Sequence, residues 1–286
     1  MDFNKNYHIL YEPHQRIKIG FFKTFLVVLS NIYQSRELIW QLFKRDFFMA
    51  YKKSFFGIWW QFISPIFGII VWVFYNSTGI LNPGDVGIPY PAYVLLSMSI
   101  WSLFMSFYTG SQSTLDAGGG FINQVNYPHE VLMIKQVMIS MATFLISFVL
   151  NFVVLIGFGV IPSWLTIFFP ILVLPLFFIG ASIGLISALV KVVVPDLQKG
   201  IDFIMTLLYF CTPVIYSSKI DNQFIQIVTK YNPLTYLFEG VRGVIIYGKI
   251  EHWHMYIYAV IASFLLFLIS LRIFYISEQK VIERMI

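Results

Sequence analysis

The chain has 286 residues, of which 58% are hydrophobic and 12% charged, with a mean hydropathy of +0.76. A soluble domain carries about 25% charged residues, so this composition excludes one and indicates an integral membrane protein. Lipid cannot hydrogen-bond an open sheet edge, which makes the long apolar runs helices, while the single Cys211 excludes a disulfide within the chain.

In chain order, residues 1–12 are polar and aromatic rather than basic and then apolar, so no cleaved signal peptide is expected. The apolar stretch 21–32 has 12 residues, too few to span, and is expected to lie at the interface. Trp40, Phe43, Phe47 and Tyr51 then fall on one helical face, and Gln41, Lys44, Arg45 and Lys52 on another. That pattern suits a helix in the headgroup plane. Basic residues serving only topology and anionic lipid give the same trace, as does a partner subunit at this face. An uncharged run, 55–75, follows as the first span, with Ser54 to Gly57 the expected bend because Gly57 breaks a helix cheaply. Trp59, Trp60, Phe67 and Trp72 give this span an aromatic character.

The second span is expected over 92–111. After it, Gly118 to Gly120 break the helix, and Asn126, Pro128 and Glu130 signal a new start. This loop reads either as a rigid knob that transmits a push or as an ordinary connecting turn. Spans at 137–161 and 164–190 are joined by the tight turn Pro162-Ser163, and Gly180 with Gly184 permits close helix approach within one subunit or between two. The run 203–216 has 14 residues and spans only if Lys199 and Asp202 sit at the interface or face protein; Phe203, Tyr209 and Phe210 line it. The last span, 255–276, is broken only by Arg272 near its end, where a long side chain snorkels. The expected fold is therefore all-α, with six transmembrane helices (55–276), a cytoplasmic segment before them (1–54) and a short cytoplasmic tail (277–286).

Between the last two spans, residues 217–254 read as two short helices split at Asn232-Pro233, with Asn as cap and Pro in the first helical position. Glu239 and Arg242 stand three apart and can pair. The segment is either a re-entrant hairpin or an external cap. Within it, GVIIYGK at 243–249 imitates a phosphate loop, but Ile250 stands where a hydroxyl residue is needed and no strand precedes it. Glu251, His252 and His254 beside Trp253 suit an interface better than a metal site, so no metal and no catalytic residue is assigned. Nine Lys and Arg precede the first span and none lies in 76–91, which places the N-terminus, and after six spans the C-terminus, in the cytoplasm. No span carries the acid or histidine chain that a proton relay needs. The aromatic residues suit the passage of an amphiphile.

Four motifs, in order, carry a family likeness: LIWQLFKRDFFMAYKKSFFGIWWQFISP at 38–65, YPHEVL at 127–132, TPVIYSSKI at 212–220 and YNPLTYLFEGVRG at 231–243. With them the chain resembles the permease subunit of ABC-2 exporters for lipid-linked polysaccharides such as O-antigen, capsule or teichoic acid. The resemblance implies a homodimer in the bacterial inner membrane and two separate ATPase subunits that carry the ATP and magnesium; this chain has no cofactor and no nucleic-acid partner. It also implies coupling to the ATPase through Asn123, Gln124, Asn126, Tyr127, Pro128, His129 and Glu130, together with Lys44, Arg45, Lys52 and Lys53 of the interface helix. Trp59, Trp60, Phe67, Trp72, Phe203, Tyr209 and Phe210 are the expected channel lining, and Pro233, Glu239 and Arg242 the external gate. Two departures stand out: Tyr127-Pro128-His129 replaces a Phe-Pro-Arg or Phe-Pro-Lys element, and Pro195-Asp196 an Arg-Asp pair. Export of a drug or small lipid by the same class is the alternative, and a membrane-embedded glycosyl or acyl transferase a more distant one.

Overall fold

The computed structural model describes residues 20–52, 55–115 and 130–282, with side chains as far as 277. Among the described residues there is no strand, and the fold is all-α. Two helices come first, α1 (Phe21–Gln34) and α2 (Arg36–Lys52). Gly57 then takes left-handed backbone, φ 51°, a conformation only glycine adopts without strain. A 3-10 turn over Gly57–Trp59 leads from it into α3 (Trp60–Ser77). After α4 (Tyr90–Gln112) and α5 (Glu130–Gly157), short helical turns over Trp164–Phe168 and Phe169–Leu172 lead into α6 (Leu174–Val193), followed by α7 (Pro195–Cys211), α8 (Gln223–Tyr231), α9 (Pro233–Tyr247) and α10 (Trp253–Ile282).

Among the described residues, five stretches are long and apolar enough to cross a membrane: Gly57–Ser77, Tyr90–Gln112, Glu130–Gly157, Trp164–Val193 and Trp253–Ser277. The expected span at 203–216 differs. Pro195, which suits the first helical turn, starts α7 eight residues earlier, and the helix stops at Cys211 before Thr212-Pro213. Its 17 residues measure about 25 Å at 1.5 Å each, and the first half carries Asp196, Lys199 and Asp202.

The centre of the bundle is α4, whose side chains from Tyr90 to Ser111 are mostly buried. It packs against α5 and α6, and α6 in turn against α10. Gly180 and Gly184 make the α4–α6 seam close: a Cβ added at Gly184 would stand 2.4 Å from the Tyr108 carbonyl oxygen and 2.7 Å from Ser111 Cβ. The glycine pair thus serves packing inside one subunit. At the other extreme, α3 touches α4 and α5 yet buries no residue.

The segment after α7 is docked on the bundle. Asn232 caps α9 by accepting from the Leu234 N–H (3.0 Å), and its Nδ2 donates to the Cys211 carbonyl and the Thr212 hydroxyl, both at 3.0 Å. One side chain thereby starts α9 and ties it to the end of α7. Leu237, Phe238, Val241 and Ile245 of α9 are fully covered, with α10, α4 and the 164–168 turn as neighbours. The imitation of a phosphate loop is the end of this helix, closed by Gly248 in left-handed backbone (φ 68°).

At the opposite end of the bundle, Val28 of α1 is buried with Met133, Leu189, Leu271 and Phe274, and Thr24 accepts a hydrogen bond from Arg272. Arg272 is therefore engaged by α1, where the sequence alone leaves it to snorkel. The other side of α1 presents Phe22, Leu26, Leu29 and Tyr33 outward, the apolar stripe of a helix lying on a lipid surface.

Candidate coupling and gate sites

The first candidate site lies where α2 meets α5. Ile39 and Leu42 of α2 pack on Val131 and Leu132 in the first turn of α5, directly after the sequence segment with Asn123, Gln124, Asn126, Tyr127, Pro128 and His129. Those six residues, and Lys53, lie outside the described residues; Glu130 opens α5 and is buried. Trp40, Phe43 and Phe47 stack along α2, with centroids 5.3 and 5.5 Å apart, and Tyr51 meets Phe47 edge-to-face at 5.4 Å. Lys44, Arg45 and Lys52 point outward, and the Lys44 ammonium rests 5.3 Å from the Trp40 ring.

The α2 helix is fastened by an acid that the basic pattern conceals. Asp46 accepts from Lys135 of α5 at 2.7 Å and from Arg45 at 2.7 Å, and the Lys135 side chain is 9% exposed. Partial burial pushes the Asp46 carboxyl upward, but the hydrogen bonds and charges of Arg45 and Lys135 outweigh it and hold the carboxyl below its ordinary range. A carboxylate depressed in this way contributes its stability above the ordinary value near 4, and that contribution is lost only as pH falls through the lowered one. The α2–α5 contact is thus constant across the neutral range. Asp46→Asn is expected to lower stability by about 1–2 kcal/mol, the value of a charged hydrogen bond reduced by exposure. Lys135→Met should add little on top of it, which a double-mutant cycle on thermal unfolding in detergent reads directly.

The second candidate site is at the other end of α4. Arg242 is 6% exposed, and its Nη1 donates to the Tyr93 hydroxyl (2.7 Å), the Ser97 hydroxyl (3.0 Å) and the Pro213 carbonyl (2.7 Å). The guanidinium also lies 4.5 Å from the Tyr93 ring centroid. Tyr93 donates to the Tyr216 carbonyl at 2.7 Å, and Tyr90 to the Ile215 carbonyl at 2.9 Å. Three pieces of chain, α4, α9 and residues 212–216, therefore meet at one charge. The expected Glu239–Arg242 pair does not form: Glu239 accepts from the Ser218 hydroxyl instead. Helical spacing brings residues three apart to one face, but Arg242 reaches inward to α4 while Glu239 stays at the rim of an outer recess shared with Asp85, Lys219 and Glu251. Lys219 and Glu251 bridge that rim at 2.6 Å, which raises the lysine pKa and lowers that of the acid. Pro233 occupies the first turn of α9 behind the Asn232 cap.

The aromatic residues divide into two groups. Trp59 (64% exposed) in the turn before α3, Trp60 and Phe67 on α3, and Phe203 and Phe210 on α7, are open. Trp72 and Tyr209 are packed inward, with Tyr209 5.3 Å from Trp101 of α4 and 6.2 Å from Trp72. Sequence reasoning missed the α4 partners of Arg242 and the acid Asp46. It also missed a polar cluster in which Asp202 accepts from Tyr108 (2.6 Å), Gln112 (3.0 Å) and Gln198 (3.0 Å). Asp46 is the only acid between Lys44 and Lys53, and an acid within a basic run is the signal that could have marked it.

The ABC-2 type transporter family model matches residues 37–246. Similar proteins include the O-antigen export system permease protein RfbA of Myxococcus xanthus, 26% identical over 76% of this chain and 83% of that one. Two from Klebsiella pneumoniae bear the same name: one is 25% identical over 91% of this chain and 94% of its own length, the other 23% identical over 83% and 86%. The matched region runs from α2 through α9 and so contains both candidate sites, and with them this all-helical membrane chain belongs to the ABC-2 type transporter family.

Proposed function

We propose that the chain is the membrane subunit of an ATP-driven exporter that moves a lipid-linked polysaccharide of O-antigen, capsule or teichoic acid type from the cytoplasmic to the outer side of a bacterial inner membrane. The observation that carries this reading is the open aromatic residues of the first span and of α7. The span Gly57–Ser77 has no buried residue, and Trp59, Phe67, Phe203 and Phe210 stand uncovered. A second copy would complete these faces into a wall, and aromatic faces accept both the C–H faces of sugars and acyl chains. The likeness to permeases named for O-antigen export, over most of both chains, supports a glycan rather than a drug.

In this reading both termini are cytoplasmic and a separate ATPase, which carries ATP and magnesium, presses on residues 123–130 beside Lys44, Arg45, Lys52 and Lys53. The stroke enters the first turn of α5 and, through Lys135 and Asp46, the α2 helix. Pro233, Glu239 and Arg242 belong to the outer gate, with Arg242 its inner fastening. The test is co-purification of the chain with its ATPase, reconstitution into vesicles, and measurement of lipid-linked glycan moved on ATP addition. Transport that disappears with a hydrolysis-dead ATPase is expected; transport unaffected by that change, or confined to small amphiphiles, overturns the reading.

A further inference from the structure

A recess between α3, α4 and α5 is lined by hydroxyl groups in the part of the bundle where lipid-embedded helices are otherwise apolar. Gln61, Ser64, Pro65 and Gly68 face it from α3, a stripe with the spacing of one helical face. Ser99, Ser102 and Ser106 face it from α4, and Ser140, Thr143 and Ser147 from α5. No charged residue lines it.

Small hydroxyl residues commonly serve as packing contacts between membrane helices. Two observations separate this recess from that role. First, the helices do not close: a cavity of about 280 Å³ remains, just under the ~300–1,000 Å³ of ordinary ligand sites. Second, Ser140 is 4% exposed and its Oγ has no hydrogen-bond partner, although it lines the cavity and a buried hydroxyl is normally paired. The backbone contributes as well. Pro65 has no N–H, so the Gln61 carbonyl lacks its helical donor, and the Ser147 hydroxyl of α5 reaches it at 3.4 Å. Ser64 and Ser102 stand exposed at the mouth.

We propose that this hydroxyl-lined recess is a subsite for one uncharged sugar residue of the transported glycan, a proposal that rests on the export reading above. Hydroxyl side chains both donate and accept, which matches sugar hydroxyls, whereas the absence of charge leaves nothing to hold an ion or a phosphate. An acyl chain would strand the unpaired Ser140. Met98, Leu103 and Phe144 supply apolar wall for the C–H surface of a ring, and the size admits a single ring rather than a chain.

The test uses the chain with its only cysteine replaced, Cys211→Ser, and carrying Ser102→Cys at the exposed mouth of the recess, a near-isosteric change. N-ethylmaleimide labelling is followed in membranes of cells that make the glycan and of cells that do not, with export measured in the former. The expected result is labelling without glycan and labelling at least several-fold slower with it. No labelling in either membrane, or equal rates in both while export proceeds, overturns the subsite and leaves export standing; equal rates identify a water-filled recess. Failure of the native chain to export glycan overturns the export reading, and this subsite with it. A second variant, Ser140→Ala with Thr143→Val, removes hydroxyls at conserved volume. It should reduce export about tenfold, the scale of one net hydrogen bond, with unchanged thermal unfolding; full export by this variant also overturns the proposal.

Discussion

Replacing Arg242 by Leu is expected to lower stability by about 3 kcal/mol, the value of strong hydrogen bonds to a buried charge, and to free α9 from α4. The guanidinium joins Tyr93, Ser97 and the Pro213 carbonyl, so its loss releases three segments together. Arg242→Lys should recover only part of this, because an ammonium is a compact point donor and cannot reproduce a planar fork under the Tyr93 ring. Tyr93→Phe keeps the ring but removes the hydroxyl that meets both Arg242 and the Tyr216 carbonyl; about 1–2 kcal/mol is expected. Glu239→Gln should be nearly silent, since its partner is the Ser218 hydroxyl. Thermal unfolding in detergent ranks the four variants. If Glu239→Gln proved as damaging as Arg242→Leu, the Glu239–Arg242 pair would be the fastening and the α4 contact secondary.

For transport the same geometry has a directional consequence. Arg242 lies at the Tyr90 end of α4, while the polar cluster on Asp202 lies at the Gln112 end. One helix, α4, therefore carries a contact to α9 at one end and a contact to α7 at the other. If the chain exports as proposed, weakening Arg242 should give leak of small solutes without ATP before it gives loss of assembly.

The helical class and the α8–α9 elbow are legible in the sequence because they rest on local signals: long uncharged runs, and Asn232-Pro233 at the junction. Gly57 is legible for the same reason, as the cheapest place to turn. The span expected at 203–216 is legible only as a helix: Pro195 starts α7 within the polar stretch, which hydropathy gives to a loop, and the helix ends at Cys211. Arg242 is the instructive failure. Spacing along one helix offers Glu239 as its partner, but the partners chosen lie 145 and 149 positions away in sequence, and nothing local encodes a contact across that distance. Asp46–Lys135 fails for the same reason, at a separation of 89. The hydroxyl recess lies between these cases: each stripe is written in its own helix, and only the fold brings three of them together.

Gly184→Ala is expected to be the most damaging single methyl in the chain. The added Cβ would lie 2.4 Å from the Tyr108 carbonyl oxygen and 3.1 Å from the Gln112 N, both backbone atoms of α4 that cannot rotate away. The two helices must separate along the most buried seam of the bundle, where Tyr108 is also held by Asp202. Overpacking of this kind costs about 1–3 kcal/mol, and the backbone origin of the clash places this one at the upper end. Gly180→Ala, with nearest atoms at 3.1 Å, should cost less. Gly200→Ala in α7, where nothing lies within 4 Å, should instead stabilise by about 0.5–1 kcal/mol through helix propensity. Thermal unfolding of the three variants, alongside their oligomeric state in detergent, separates the two uses of a small-residue pair. A seam within one subunit predicts the order Gly184, Gly180, Gly200 in stability with assembly following stability. A pair used between subunits predicts dissociation at full monomer stability, and that outcome would move Gly184 from the core of the bundle to its outer surface.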